Sequence, residues 1–450
     1  MTSHTRSATL LTTLMVALTI VGVTAGSASS QSEQPKATEI GVTGSEIHIA
    51  VIADVDQPVA PGLFKGAVDG VKAGAAYLNS RAGGGGVAGR KVVVDFDDSK
   101  LNPNETRNAT IKACGNDLAM VGTSALFLTS VDDMVNCTDQ AGKAVGLPDV
   151  GAVVAGVPQA CAPTSFPAIG SAYDCASMTQ TPQTYYGNQG AAKWLLSQHR
   201  GALHGPMIVS NDTKDANRGG TVLALAAQHA GVKADQGTTV AKSARDPQSA
   251  LTGVVQGMKA DNSNYSLMTS TPDQALALRE EATLQGLDSS KVVWDTVSLY
   301  GNQLAKQNTS AFEDEYQALN FLPFEEAQYN KTLAAFVKYV RQVGGNPDQY
   351  SAYSFEATMA FAAAAKAAVA KSGVNGLTRS SFIDGMKSLT DFDAGGMAGT
   401  HSFANGHITS CFVEVQFRGG KWVRAYPTKK GTFDCKPQNL VAMKADLVGG

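Results

Sequence analysis

The chain has 450 residues, 43% of them hydrophobic and 17% charged, with a formal net charge of −3. That composition excludes a disordered chain, and so mild a charge argues against nucleic acid or an anionic membrane surface as a partner. The length exceeds what one core usually serves, so two domains are expected.

Residues 1–28 read as a cleaved export signal. Arg6 precedes a mostly apolar run over residues 8–23, and Gly26, Ser27 and Ala28 supply small residues for cleavage near Ala28. The run is short for a membrane span, and no cysteine sits where a lipid anchor would attach. A secreted, extracytoplasmic protein is therefore expected. Residues 29–43 are small and polar and read as a flexible leader.

The folded body opens with the strand Ile47-His48-Ile49-Ala50-Val51-Ile52. A helix follows over residues 66–81, with Val68, Val71, Ala75 and Leu78 at helical spacing. Next come a strand at 90–96, a helix at 104–114, a strand at 118–122, a helix at 130–141 and a strand within 144–154. The rhythm restarts near residue 180, with a helix at 183–199, a strand at 206–209 and a helix at 217–230. A strand at 237–241, a helix at 247–260, a strand at 265–268, a helix at 272–286 and a strand at 291–294 complete it. Alternation of this kind predicts two α/β units with parallel sheets. Helices at 354–371 and 380–387 come next, and runs at 411–417 and 421–426 flank Arg418-Gly419-Gly420 as a β-hairpin. Residues 436–450 read as a C-terminal tail.

The six cysteines are Cys114, Cys137, Cys161, Cys175, Cys411 and Cys435. Behind an export signal an even number reads as disulfides. Many pairings are open; sequential pairing is expected because each neighbouring pair brackets one local loop. No spacing is C-x-x-C, which argues against zinc or redox chemistry.

Catalytic patterns are missing. The seven histidines are scattered, without H-E-x-x-H or another ligand cluster, and there is no G-x-S-x-G elbow or P-loop. Gly84-Gly85-Gly86-Val87-Ala88-Gly89 fits G-x-G-x-x-G in letters. It follows a helix and precedes a strand, however, the reverse of the order that places a helix N-terminus at a pyrophosphate. Asp97-Asp98 and Asp132-Asp133 read as a strand-end cap and a helix first turn. No enzyme activity, cofactor or metal is expected.

The run Leu78-Asn79-Ser80-Arg81-Ala82-Gly83-Gly84, continued by Val87-Ala88-Gly89-Arg90-Lys91-Val92, resembles a signature of type I periplasmic binding proteins. These are the branched-chain amino-acid receptor relatives that serve ABC importers. Asp97-Asp98, the helix opening Asn102-Pro103-Asn104-Glu105-Thr106, the strand Met120-Val121-Gly122 and the ending at 399–407 follow in the family's order. The resemblance covers about residues 45–428. It implies two Rossmann-like α/β lobes, residues 44–175 plus 325–405 and residues 176–324 plus 406–435. Three hinge crossovers would join them near 171–182, 314–326 and 404–411. A small-molecule ligand would lie between the lobes at the strands' C-terminal ends, and the membrane permease of an ABC importer would receive it from a monomeric protein. The same fold also serves as the ligand-sensing subunit of signalling or regulatory systems, which stays open as an alternative.

By position, the resemblance implies a site built from Gln57 in the loop at 54–61, from Ser124, Ala125, Phe127 and Thr129 at 123–130, and from Ala152 and Val153 at 151–154. The second lobe would add Asn211, Asp212, Thr271 and Asp295, with Tyr173 and Tyr353 near the cleft. Helix packing for Tyr353 and a helix cap for Thr271 are equally open. Asp295 is expected to face a polar or cationic end of the ligand. Ala125-Leu126-Phe127-Leu128 and Gly151-Ala152-Val153-Val154 lack the Ser and Thr hydroxyls with which the amino-acid receptors hold an α-carboxylate, which speaks against a plain amino acid and leaves room for a less polar solute.

Overall fold

The computed structural model describes residues 33–57, 61–200, 202–235, 240–243 and 246–447. The expected export signal, residues 58–60 of the first binding loop and residues 237–239 of an expected strand lie outside the described residues.

The first lobe opens with β1 (Glu46–Ala53), α1 (Lys65–Asn79), β2 (Lys91–Asp98), α2 (Pro103–Asn116), β3 (Ala119–Val121), the single turn α3 (Asp132–Val135), β4 (Asp149–Val150) and the short α4 (Val157–Ala160). Its strands form a parallel sheet in the order β2-β1-β3-β4. Ile47, Ile49 and Val51 of β1 pack into one layer, and Ala50 and Ile52 into the other. Burial on both faces requires an unbroken apolar run, as parallel strands usually show.

The chain then crosses to a second lobe through β5 (Gln183–Asn188), α5 (Gly190–Gln198), β6 (His204–Gly205), β7 (Met207–Ser210), α6 (Lys214–Ala230), β8 (Lys233–Ala234) and β9 (Val240–Lys242). That lobe continues with α7 (Thr252–Asp261), β10 (Tyr265–Met268), α8 (Pro272–Leu284), β11 (Val293–Thr296), α9 (Gln303–Gln307) and β12 (Glu315–Leu319). The first lobe regains the chain for α10 (Lys331–Gln342), α11 (Gln349–Ser372) and α12 (Arg379–Lys387), and the second for β13 (Val413–Arg418), β14 (Lys421–Tyr426) and β15 (Leu440–Ala445). The second sheet runs β14-β13-β12-β11-β10-β7-β9. It is parallel from β12 to β9, with β13 and β14 antiparallel at one edge. The crossing segments are laced together: Ser171 bridges to His407, and Phe321 to Ala398. Ser171 and His407 fall in the first and third expected crossovers, while Ala398 lies before the third.

Four expectations change. Residues 183–188 form a strand, not the start of a helix, because they alternate in burial and pair with β15. That partner strand lies within the expected tail. The helix expected at 130–141 is one turn, since Cys137 is bonded to Cys114 at the end of α2 and the chain turns back at Asp139 and Gly142. Residues 34–43 are not loose: Val42 and Glu39 are buried, and the Arg90 guanidinium donates to the carbonyls of Lys36, Thr43, Ala88 and Val374. The glycines before Arg90 form the turn into β2, and Asn79 hydrogen-bonds the main chain of Val92 through both its amide atoms. The remaining disulfides are Cys161–Cys175 and Cys411–Cys435.

Helix α1 meets α11 backbone to backbone. A Cβ on Gly70 would lie 2.3 Å from the Ser351 carbonyl oxygen, and one on Gly74 would lie 2.6 Å from the Thr358 side chain. Gly70→Ala should therefore destabilise the protein by about 1–3 kcal/mol through overpacking, although alanine gains about 1 kcal/mol of helix propensity. Urea unfolding measures this; an unchanged or raised midpoint would contradict the close contact.

Candidate ligand cleft

The first wall of the cleft is set by Asp54, which follows β1 and is fully buried. Its Oδ1 accepts from Ser99 Oγ and from the Leu101 amide, each at 2.7 Å, and its Oδ2 accepts from the Leu126 amide at 2.8 Å. Such charge-assisted bonds are short and strong. They bind the loops after β1, β2 and β3 into one platform. On it, Leu126 and Phe127 stay half-buried while Ala125 and Leu128 turn into the core. Asp98 completes the platform by accepting from the amides of Val55, Asp56 and Lys100.

The opposite wall is the first turn of α6. Thr213 caps it, accepting from the Ala216 amide at 3.0 Å. Arg218 donates to Asp215 at 2.6 Å and to the Leu447 carbonyl at 3.3 Å. Asp212 accepts from Ser210 Oγ at 2.8 Å and from Ser243 Oγ at 2.6 Å. Between the walls lies a cavity of about 580 Å³, with Leu126, Phe127, Val157, Pro158 and Met178 apolar and Asp212, Lys214, Asp215 and Arg218 charged. It sits at the C-terminal ends of β3, β4 and β7, where open α/β sheets present ligand sites.

Of the residues singled out by sequence, Phe127, Thr129 and Asp212 line this cavity. Asn211 is exposed beside it, its amide donating to Lys242. Gln57 is buried in the loop after β1. Ser124 is buried with its hydroxyl on the Gly122 carbonyl, and Ala125 belongs to the core beneath α2. Ala152 and Val153 donate their amides to Thr123, holding the β4 loop against that of β3. Tyr173 donates to the Ala155 carbonyl at 2.7 Å and so fixes the approach to α4. It lines a second cavity, of about 460 Å³, with Cys161, Phe166, Lys387 and His407 beside the crossovers. Thr271 caps α8, and Tyr353 packs edge-on against Phe321. Neither lines the cleft.

Lys214 and Asp215 precede the helix that spacing predicts from residue 217, and together with Arg218 they join the site only through the fold. The cap Thr213, three residues before Ala216, was the available signal.

The chain matches the model of the family described as "Periplasmic binding protein" over residues 46–421. No curated protein matches it. Among solved structures it is similar to a fatty acid ABC transporter substrate-binding protein from Thermomonospora curvata, at 17% identity and a TM-score of 0.64, covering 90% of this chain and 99% of that one. A substrate-binding protein of an ABC transporter from Aeropyrum pernix gives 15% identity and 0.64, over 88% and 97%. A leucine-binding protein from Thermotoga maritima gives 14% and 0.59, over 84% and 97%. These likenesses establish the fold.

Asp295 points away from the cleft. It shares a face of β11 with Val293 and is bonded by the Tyr265 hydroxyl at 2.7 Å. Burial raises its carboxyl to about 7. Glu414 is fully buried nearby with neither carboxylate oxygen hydrogen-bonded, and burial, then the charge of Asp295, raises it well above its ordinary range. Both acids hold protons in the folded state that the unfolded chain has lost; the stability that Asp295 contributes this way is full below about 4 and is lost as pH rises to about 7. Asp295→Asn removes one of these groups while keeping an acceptor for Tyr265. Its urea midpoint should decline less over that window than that of the parent; parallel curves would contradict the assignment.

Proposed function

Since this chain belongs to the periplasmic binding protein family, we propose that it is an extracytoplasmic, non-catalytic receptor that holds one small molecule between its lobes and passes it to the permease of an ABC importer. The observation that carries the reading is the cavity walled by the β3 and β4 loops of one lobe and the α6 terminus of the other. A molecule held by both lobes favours the closed arrangement by its differential affinity, and a permease can read that arrangement.

The lining supports a ligand with an apolar body and a polar or ionised head. Leu126, Phe127, Val157 and Pro158 would cover the body. Lys214 and the amides opening α6 would take the head. Fatty acids, named for one protein of similar fold, fall in that class. Among the described residues lining the cleft there is no histidine or cysteine, and Asp212 and Asp215 are engaged by serine and arginine partners. The Thr213 hydroxyl is taken up in capping α6, which with the engaged aspartates supports binding without turnover.

A thermal-shift screen of solutes on the exported protein identifies a ligand by its stabilisation of the native state. For that ligand, Phe127→Asp should weaken binding at least about tenfold in calorimetric titration, because an unpaired charge would be buried against an apolar body. Equal affinity in parent and variant would remove Phe127 from the site, and recovery of a chemically altered ligand would overturn the receptor reading.

A further inference from the structure

The first lobe brings together three side chains that lie far apart in sequence. His48 is on β1, Asp95 on the neighbouring β2, and Asp117 at the junction of α2 and β3. His48 Nδ1 lies 2.8 Å from Asp95 Oδ2. One donor atom from each of the three residues falls within 4.8 Å of the others. Asp117 is 2% exposed, and its Oδ1 has no hydrogen-bond partner.

The charges around this point do not balance. Asp97, also on β2, pairs one oxygen with Lys112 at 2.6 Å, while its other oxygen is buried without a partner. Glu46 approaches His48 Nε2 at 3.6 Å. The nearby Arg379 guanidinium is directed at the main-chain oxygens of Cys114, Asp117 and Thr138, not at the carboxylates. A buried carboxylate oxygen without a partner, set beside other acids, is costly, and buried charges are normally paired or bound to a cation.

We infer that His48, Asp95 and Asp117 form a binding site for one divalent transition-metal ion, with zinc the best match. An imidazole nitrogen with two carboxylates is a zinc donor set, whereas calcium and magnesium take oxygen ligands. A bound ion would tie β1, β2 and the α2–β3 junction together by bonds that need no further core. Six residues of extended chain, ~20 Å, separate His48 from Asp54 at the cleft end of β1. The ion therefore acts on the stability of the lobe and not on the ligand.

The test uses the full exported chain, stripped by a chelator and titrated with zinc chloride in a calorimeter, with magnesium chloride as comparison. One zinc ion per chain should bind, magnesium should not compete, and zinc should raise the melting temperature. His48→Gln and Asp95→Asn change half-exposed residues, so both proteins should fold. Loss of an outer-sphere partner alone costs roughly 10–100-fold in metal affinity, and loss of either ligand should cost at least as much. Asp117→Asn should do the same where it folds. Absence of stoichiometric zinc uptake would overturn the inference. So would equal binding by magnesium, or zinc binding that survives in both half-exposed variants.

Discussion

The cleft depends on one buried carboxylate. Asp54 ends the central strand of the first lobe, and its two oxygens collect donors from the loops after β2 and β3. Its main chain is engaged as well: its amide donates to Ser124, and its carbonyl accepts from Phe64 at the start of α1. A buried charge must be met by donors or it costs several kcal/mol. The loops therefore have little freedom, and the apolar wall of Leu126 and Phe127 follows from where Asp54 holds the Leu126 amide.

The opposing wall has a different origin. The α6 terminus is braced by Arg218, which reaches the main chain of Leu447 beyond β15. β15 in turn pairs with β5, the first strand after the crossing from the first lobe. Residues from widely separated parts of the chain thus set the position of one helix end. The two walls approach each other at Gly156, where an added Cβ would lie 2.9 Å from Asp215 Oδ2. The carboxylate bonded to Arg218 is therefore also where the two walls meet.

The sequence revealed most of the fold wherever an element carried its own signal. The apolar runs of β1, β7 and β10, the spaced face of α1 and the Gly-containing turn between β13 and β14 are legible because burial imposes them locally. β5 and β12 were not, because short strands with polar residues depend on partners far along the chain. The site divided for the same reason. Phe127, Thr129 and Asp212 reach the cavity, but Ala125 and Asp295 turn inward, and side-chain direction is set by register and loop bonding that spacing does not show. Asp295 shares its face with Val293, and Trp294 on the other face is core as well, so neither face of β11 turns to the cleft. His48, Asp95 and Asp117 could be joined only once the β1–β2–β3 order was in hand.

The central claim is that one molecule is held by both walls at once. Hydrogen–deuterium exchange of the exported protein, with and without the ligand found by screening, tests it most directly. The account predicts added protection in residues 123–130 together with residues 211–218, and little change around Tyr265 and Asp295. Protection confined to one wall, or centred on the second cavity near Cys161 and His407, would contradict it.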